Sequence, residues 1–381
     1  MQPTDFSQSQ RSNVRRAPTG YWAFIPPALP PAITFDTRLV SALSDADRAL
    51  GRLAGLGSSL PNPYLLITPF LRREAVLSSR IEGTHATLSE VVLFEATQGI
   101  RSEVADVQEV VNYVRALEAG IAPGQPLPLS LRLIRELHGI LMTGVRGQER
   151  TPGEFRTSQN WIGPPGVTLT DATYVPPVVD EMCQCLDQLE RYLHADSNLP
   201  PLLRLALIHY QFEAVHPFLD GNGRVGRLLV SLLLQHWKLL PEPLLYLSAF
   251  FERHREDYYS LLLDVSRNGH WNEWMTFFLT GVSEQAQDAI SRSGRLLALR
   301  EEYRTRLQTA RSSSLPLRLV DELMMRPAIT VGGAQTALSV TWRSAQLNVE
   351  RLVEAKVVEE VTKQARNRVY LAREIVSILE G

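Results

Sequence analysis

Residues 201–236 read PLLRLALIHYQFEAVHPFLDGNGRVGRLLVSLLLQH, with two apolar runs on either side of a short polar stretch. The helix predicted for residues 201–215 is expected to end near His216, because Pro217 disfavours helical backbone at the residue before it. A second apolar run, from residue 224, predicts another helix, and the pair indicates a mainly α-helical fold. The first helix is predicted from apolar residues that recur at steps of three and four, namely Leu202, Leu205, Ile208, Phe212 and Val215.

The polar stretch combines two glycines with two arginines. Gly221 and Gly223 flank Asn222 and allow positive φ, so consecutive backbone N–H groups can point into one concavity and bind an anion. Because a helix begins directly afterwards, its free amides and its macrodipole favour a phosphate at the same place. Arg224 and Arg227 are three residues apart on one helix face, where they can bind different phosphoryl oxygens. The stretch therefore predicts a nucleotide site that binds two phosphates.

Asp220 and His216 add a metal ligand and a base to this prediction. A carboxylate beside bound phosphates would repel them unless a cation intervened, and Mg²⁺ binds one or two carboxylates together with phosphate oxygens. A histidine at the mouth of a loop, with an ordinary pKa of about 6.5, is suited to act as general base for a hydroxyl group that attacks phosphorus. Phe218 is expected to anchor the loop.

Residues 216–227 resemble the signature of the Fic family, commonly written HPFx(D/E)GNGRxxR, and every fixed position is present. The resemblance implies a mainly α fold in which a Fic-type helical bundle carries a β-hairpin flap. It also implies an enzyme that transfers AMP from ATP to a Ser, Thr or Tyr hydroxyl of a target protein, or of the chain itself, and releases diphosphate.

Carried over position by position, the resemblance makes His216 the catalytic base and Asp220 the ligand of Mg²⁺ or Mn²⁺. The glycine stretch would bind the α and β phosphates, and the two arginines would bind the β and γ phosphates. Contacts with ATP are accordingly expected from His216, Phe218, Leu219, Asp220, Gly221, Asn222, Gly223, Arg224 and Arg227.

A second element, SSRIEG at residues 78–83, ends a helix predicted over about 71–83. Gly83 suits the position after a helix end. A glutamate in the last turn, however, meets the negative end of the helix dipole and needs a cationic partner. The element resembles the family's inhibitory motif, S/T-x-x-x-E-G/N, which implies that Glu82 pairs with Arg227 in the ATP site and blocks the γ phosphate. Ser78, Glu82 and Gly83 would form this motif, although an ordinary helix end is the alternative.

Residues 153–177 predict a polar hairpin that resembles the family's flap. Its exposed strand edge would bind a target peptide by main-chain hydrogen bonds. The alternative is a surface hairpin that only covers the core. Within it, Arg156 and Tyr174 are expected to be structural.

Residues 245–259 also resemble the family, which often has Asn-Arg where this chain has His254 and Arg255. His254 and Tyr258 are candidates for contact with adenine, and ordinary helix packing is the alternative.

Residues 315–381 resemble a small winged helix-turn-helix domain, with helices over 317–325, 330–338 and 341–355 and a wing over 357–371 whose tip lies near 364–367. No acidic residue occurs from 361 to 373, a segment that offers four cations to a phosphate backbone: Lys363, Arg366, Arg368 and Arg373.

The charge of this C-terminal region nevertheless argues against strong DNA binding, because nine basic residues face eight acidic ones. Dimerisation and docking of a target remain as alternatives, and a homodimer is not established by any pattern. The alternative function is a winged-helix DNA-binding regulator whose Fic-like core only senses nucleotide.

Composition and charge limit the classes of protein to which this chain can belong. The 381 residues are 44% hydrophobic, enough for a sizeable core, and the net charge of −2 excludes a globally basic nucleic-acid binder. Of the 39 basic residues only three are lysine, and this arginine bias favours a bacterial source. Cys183 and Cys185 point to different helix faces, which supports neither a disulfide nor a zinc site. Without an apolar membrane span or signal core, we expect a cytoplasmic protein with no membrane partner.

Four regions are predicted along the chain. Residues 1–20 are polar and expected to be disordered. Residues 21–110 would form an N-terminal helical region, and residues 111–310 the Fic core, which ends in a long helical pattern over 286–309. Residues 312–314, all serine, are expected to link this core to the C-terminal domain at 315–381.

Overall fold

Helices make up most of the protein in the computed structural model, which describes residues 1–97, 105–122, 127–308, 314–362 and 367–381. The mainly α prediction is confirmed. The helices described before residue 308 are α1 (Thr37–Ser59), α2 (Tyr64–Ile81), α3 (Leu88–Ala96), α4 (Ala105–Ile121), α5 (Leu131–Leu141), α6 (Val179–His194), α7 (Pro201–Val215), α8 (Asn222–His236), α9 (Ser248–Arg253), α10 (Arg255–Asn268) and α11 (Trp271–Leu307).

The helix pair α7 and α8 lies at the centre of the core. The bounds of α7 are those predicted, and twelve of its fifteen residues are buried. The long helix α11 packs along both α1 and α7, and Trp274 Nε1 on α11 donates a 2.9 Å hydrogen bond to the Ala206 carbonyl of α7. The helical pattern predicted over 286–309 is thus the second half of one longer helix, although Thr309 lies outside the described residues. This packing gives the loop between α7 and α8 a rigid support.

The predicted disorder of residues 1–20 is wrong. Two 3₁₀ turns (Pro3–Asp5 and Arg11–Asn13) precede β1 (Val14–Arg16), which pairs antiparallel with β2 (Trp22–Phe24). Phe6 is only 3% exposed and stacks on Phe24 with ring centroids 5.4 Å apart. Ser7 N also donates a 2.8 Å bond to the Arg267 carbonyl. One buried aromatic ring and backbone hydrogen bonds order a stretch whose average composition is polar.

The predicted boundary at residue 110 falls inside α4 and is not a break in the fold. The inhibitory helix predicted over 71–83 is also longer than expected. It is α2, which begins at Tyr64 in spite of Pro69, and Glu82 is the residue that caps its C-terminal end.

The predicted flap, residues 153–177, is mostly irregular. A single antiparallel bridge joins Ile162 to Tyr174, and a 3₁₀ turn covers Leu169–Asp171. Pro164 and Pro165 follow the bridge and lack the N–H groups that would extend a ladder. Arg156 is buried and donates hydrogen bonds to the carbonyls of His216 (3.0 Å), Ser158 and Pro177, while the Tyr174 hydroxyl donates to the Ala214 carbonyl at 2.8 Å. Both residues therefore have structural contacts.

The C-terminal region contains α12 (Leu315–Met325), α13 (Val331–Leu338), α14 (Trp342–Glu354) and α15 (Arg373–Glu380). Its strands β3 (Ala328–Thr330), β4 (Glu359–Glu360) and β5 (Val369–Leu371) form an antiparallel sheet in the order β3-β5-β4. Three helices and a strand pair lie close to their predicted positions, whereas α15 and β3 were not predicted. Residues 364–366 of the predicted wing tip, together with Lys363, Ser312 and Ser313, lie outside the described residues.

The C-terminal region packs directly against α2. Helix α12 lies along α2, and Arg292 on α11 donates to the carbonyls of Ile378 and Leu379 at the end of α15. Arg292 also donates a 2.8 Å bond to Asp288, which lies 3.3 Å from Arg73 on α2. The helix that ends at Glu82 is therefore held by contacts from both α11 and the C-terminal region.

Along the ranges described, no helix is both long and apolar enough to cross a membrane. Cys183 is exposed and Cys185 is buried on α6, and both are free thiols.

Candidate active site

The loop between α7 and α8 has a fixed backbone. His216 caps α7 with a left-handed φ of +48°, and Gly221 precedes α8 with a φ of +78°. The Asn222 side chain accepts a 2.8 Å bond from the Phe218 N–H and donates a 2.8 Å bond to the Phe218 carbonyl. Gly223 does not need positive φ, contrary to our expectation, because it already lies in the first turn of α8.

Phe218 anchors this loop, as predicted. Its ring is fully buried and stacks on His138 of α5, with centroids 3.8 Å apart. Asn222 is also buried, with 3% of its surface exposed. The side chains of these two residues hold the loop, and the contacts with ATP expected from Phe218 and Asn222 stay a prediction. Leu219 and Asp220 remain half-exposed at the mouth of the loop.

His138 was missed from the sequence, because nothing in its surroundings marks a lone histidine on a helix. Its Nδ1 accepts a 2.9 Å bond from the Gly153 N–H, so its Nε2 carries the proton and donates to the Asp220 carbonyl at 3.1 Å. Burial lowers the pKa of His138 to about 4, so the ring is neutral at neutral pH. The residue supports the backbone of the predicted metal ligand.

Asp220 suits a magnesium ion that shares its ligands with phosphates. Its Oδ1 accepts a 2.6 Å bond from the Gly221 N–H. A Cβ on Gly147 would lie 2.8 Å from Oδ2, so that glycine leaves room beside the carboxylate. No cluster of three or more metal-binding side chains occurs among the residues described. A single carboxylate with phosphate oxygens and water fits the coordination that Mg²⁺ prefers.

Arg224 is engaged differently from the prediction. It is only 3% exposed, and its Nη1 donates a 3.2 Å bond to Glu109 of α4. Glu109 itself is 1% exposed. Burial raises the pKa of Glu109 more than the nearby charges of Arg224 and Arg146 lower it. No local pattern could reveal this partner, since Glu109 lies 115 positions away from Arg224.

Replacing Glu109 with alanine is expected to destabilise the protein by roughly 3–5 kcal/mol, because it leaves the Arg224 guanidinium group buried with its closest carboxylate removed. The urea concentration at the unfolding midpoint measures the effect. Glu109→Gln, which keeps an acceptor for Arg224, is the control and should lose less stability. An unchanged midpoint for Glu109→Ala would contradict the structural role given to this pair.

Arg227 lies against the end of α2, as predicted. Its Nε donates to Ser78 Oγ at 2.9 Å, and its Nη2 donates to the Ser78 carbonyl at 2.8 Å and to Glu82 Oε1 at 2.6 Å. Burial raises the pKa of Glu82, but the charge and hydrogen bond of Arg227 outweigh burial and hold that pKa below its usual range. Gly83 follows with a φ of +95°.

The Glu82 carboxylate also occupies the beginning of α8. A Cβ on Gly223 would lie only 2.3 Å from Glu82 Oε1, so the carboxylate lies directly over this glycine. The positive end of the α8 dipole favours a negative charge there. A side-chain carboxylate thus lies at the place where the sequence predicted nucleotide phosphates.

His216 has the tautomer of a base. Its Nδ1 lies 3.2 Å from the Glu213 carbonyl, which can only accept, so Nδ1 carries the proton and Nε2 has a free lone pair. Burial is the main cause that lowers the pKa of His216 to about 4. The ring is therefore neutral at neutral pH, and it remains half-exposed.

The residues predicted near adenine differ in their surroundings. Tyr258 is 1% exposed and shares a 2.8 Å hydrogen bond with His209, which fits the alternative of ordinary helix packing, and its contact with adenine stays a prediction. His254 lies between α9 and α10 with its ring 4.6 Å from that of Phe250, and its contact with ATP stays a prediction. The neighbouring Tyr259, which the sequence analysis missed, is 43% exposed and interacts electrostatically with Glu82.

Comparison with known sequences identifies two segments. Residues 40–122 match the Fic/DOC family N-terminal region, and residues 128–234 match the Fic/DOC family. Protein adenylyltransferase Fic of Drosophila erecta is 35% identical over 164 residues, which cover 40% of this chain and 30% of that protein. The protein of the same name from Drosophila virilis is 36% identical over 216 residues, covering 53% and 40%. The chain thus spans well under half the length of these curated relatives.

Solved structures share the fold. A Fic family protein from Desulfovibrio desulfuricans G20 superposes with a TM-score of 0.60 at 20% identity, covering 90% of this chain and 98% of that one. Residues 134–508 of Fic-1 from C. elegans superpose with a TM-score of 0.52 at 22% identity, covering 68% and 75%. The chain thus carries the N-terminal and the Fic segments of the Fic/DOC family, at residues 40–122 and 128–234.

Proposed function

We propose that this chain transfers AMP from ATP to a hydroxyl group of a protein. The observation that carries the proposal is the neutral His216 ring, whose Nε2 lone pair is free beside an anion site formed by the start of α8 and Arg227. The match to relatives named protein adenylyltransferase Fic supports the same reaction. The acceptor would be a Ser, Thr or Tyr side chain of a target protein or of the chain itself.

The proposed step is an in-line displacement at the α phosphorus. His216 Nε2 takes the proton of the acceptor hydroxyl as its oxygen bonds to the α phosphorus. The bond from that phosphorus to the oxygen that bridges it to the β phosphorus breaks, and diphosphate leaves. The amides at the start of α8, together with Arg227, hold the phosphates. A Mg²⁺ or Mn²⁺ ion held by Asp220 would supply positive charge to the departing diphosphate.

Glu82 would inhibit this reaction in the resting protein. Its carboxylate lies over Gly223 and forms a 2.6 Å ion pair with Arg227, so it takes both the position and the donor that a nucleotide phosphate requires. A phosphate must displace it before Arg227 becomes available. Because α2 packs against the C-terminal region, movement of that region is a candidate route for releasing Glu82.

The irregular flap would receive the target. Trp161 and Ile162 are 42% and 40% exposed beside the single bridge to Tyr174. Asn160, the preceding residue, donates hydrogen bonds to the carbonyls of His216 and Phe218, which ties this segment to the catalytic loop. An extended peptide bound here by main-chain hydrogen bonds would present its hydroxyl close to His216.

The alternative, a DNA-binding regulator that only senses nucleotide, has weaker support. Arg368 lies 3.5 Å from Glu360, and Arg373 pairs with Glu359, so two of the cations assigned to a DNA backbone already have carboxylate partners. Arg343 and Arg351 are exposed on α14, but Glu350 and Glu354 are exposed on the same helix. We propose DNA binding and homodimer formation only as secondary possibilities.

AMP transfer and phosphate transfer differ in which phosphate of ATP becomes bound to protein. Glu82→Gly protein would be incubated with Mg²⁺ and with ATP labelled at either the α or the γ phosphate, in the presence of cell-extract proteins as acceptors. We expect protein-bound label from α-labelled ATP only. Label from γ-labelled ATP only would mean phosphate transfer and would contradict the proposal, as would nucleotide binding without any transfer of label.

A further inference from the structure

A second glutamate, Glu213, lies in this site, and its side chain has no role in the proposed reaction. It is on α7, one turn before His216, and its Oε1 is buried with no hydrogen-bond partner within the described part of the chain. A Cβ on Gly226 would lie 2.1 Å from this oxygen, so the carboxyl group packs directly against the backbone of α8. A buried polar atom without a partner is costly and calls for an explanation.

Glu213 and Glu82 occupy neighbouring positions on one face of α8. Glu82 lies over Gly223 and Glu213 over Gly226, which are three residues apart and therefore adjacent on the helix. Arg227 interacts electrostatically with both carboxyl groups but is hydrogen-bonded only to Glu82. On α10, Tyr258 and Tyr259 interact electrostatically with Glu213. On α7, the neighbouring titratable groups are His209, whose Nδ1 lies 3.2 Å from the Gly226 carbonyl, and His216, which bonds the backbone carbonyl of Glu213.

One guanidinium group cannot neutralise both of these half-buried carboxylates. A carboxyl group that lacks a partner in such a place keeps its proton. Burial, with a further contribution from the charge of Glu82, raises the pKa of Glu213 to about 8 in spite of Arg227. The resting site therefore contains an ionised Glu82 and a protonated Glu213.

We propose that Glu213 is a second carboxyl group of the nucleotide-phosphate site and must carry its proton for the phosphates of ATP to bind beside Arg227. The inference rests on the proposed function, because it assumes that nucleotide phosphates replace Glu82. If Glu213 lost its proton, its carboxylate would compete for Arg227 and repel the phosphates. Glu213 is thus a positioning residue that acts through Arg227, and ATP binding is linked to one proton.

The direction of the pH dependence follows from the charges next to Glu213. Without Glu82, Glu213 loses a neighbouring charge that raises its pKa, so its pKa falls below about 8 in the free Glu82→Gly protein. Bound phosphates restore a negative charge and raise that pKa again. ATP therefore binds most tightly below the pKa of the free protein and more weakly as pH rises through the interval between the two values. The dissociation constant should increase by up to about tenfold per pH unit within that interval.

The test measures ATP binding by calorimetry with Mg²⁺ across roughly pH 6–9. The parent protein carries Glu82→Gly and His216→Ala, so that neither transfer nor titration of His216 contributes. We expect the parent to take up a proton on binding ATP and to bind it more weakly as pH rises. Adding Glu213→Gln should remove the proton uptake and flatten the pH dependence. Adding Glu136→Gln, which changes an exposed glutamate of α5, is the matched control and should leave both unchanged.

Two results would overturn the inference. One is a parent protein that binds ATP without taking up a proton, a measurement that does not depend on whether the Glu213→Gln variant folds. The other is a Glu213→Gln variant with the same proton uptake and pH dependence as its parent. Failure of the proposed function is distinguishable, because it would appear as absent AMP transfer in Glu82→Gly protein that still binds ATP with the expected proton linkage.

Discussion

Replacing His216 with alanine in Glu82→Gly protein is expected to lower the rate of AMP transfer by about 10²–10⁴-fold, the usual contribution of a general base. The Glu213 carbonyl fixes the Nδ1 proton, and a pKa of about 4 keeps the ring neutral, so Nε2 can accept a proton at neutral pH. Alanine removes this acceptor without removing a donor to the phosphates. Initial rates of label transfer from α-labelled ATP measure the loss.

Two controls show whether the lower rate is specific to the role of His216 as the base. His194→Ala removes an exposed histidine at the end of α6 and should leave the rate unchanged. The dissociation constant for ATP should also stay within a few-fold, because His216 acts on the acceptor hydroxyl. A His216→Ala protein that transferred AMP at the rate of its parent would exclude His216 as the base.

Replacing Glu82 with glycine in the otherwise unchanged chain is expected to raise AMP transfer by roughly ten- to a hundredfold. A hydrogen bond to a charged group contributes about 1.5–3 kcal/mol, and this is the interaction that a phosphate must break to reach Arg227. Glycine also removes the carboxylate that lies over Gly223. Steady-state rates at several ATP concentrations show whether the gain lies in KM, in kcat or in both.

Glu82→Gln separates charge from size. The amide keeps the shape of the side chain but loses the ion pair with Arg227, so its rate should lie between those of the wild type and Glu82→Gly. If Glu82→Gly were no faster than the wild type, the 2.6 Å pair with Arg227 would be a structural contact without an inhibitory role.

The features that could be predicted from the sequence are those that depend on local patterns of residues. The bounds of α7 followed from apolar periodicity, and its end followed from Pro217. The contact of Glu82 with Arg227 followed from a misplaced charge at a helix end and from the resemblance to an inhibitory motif. The order of the C-terminal helices likewise followed from periodicity, and their observed bounds differ from the predicted ones by only one or two residues.

The rest depends on contacts between distant segments. Glu109 and His138 enter the site because α4 and α5 converge on the loop, and a single residue on a helix surface does not indicate such a contact. Glu213 lies one turn before His216, but its position over Gly226 depends on how α7 packs against α8. The predicted disorder of residues 1–20 was wrong because it rested on average composition. Average composition does not show that a single ring, that of Phe6, is buried. The packing of α12 and α15 against α2 was hidden for the same reason, since it joins segments more than 200 residues apart.

The most direct test of the account is a time course of AMP incorporation into protein from α-labelled ATP with Mg²⁺, for the wild type, Glu82→Gly, and Glu82→Gly combined with His216→Ala. We expect slow incorporation by the wild type, fast incorporation by Glu82→Gly, and almost none by the double variant. Equal rates for the wild type and Glu82→Gly would contradict inhibition by Glu82. Incorporation that persisted in the double variant would contradict catalysis by His216.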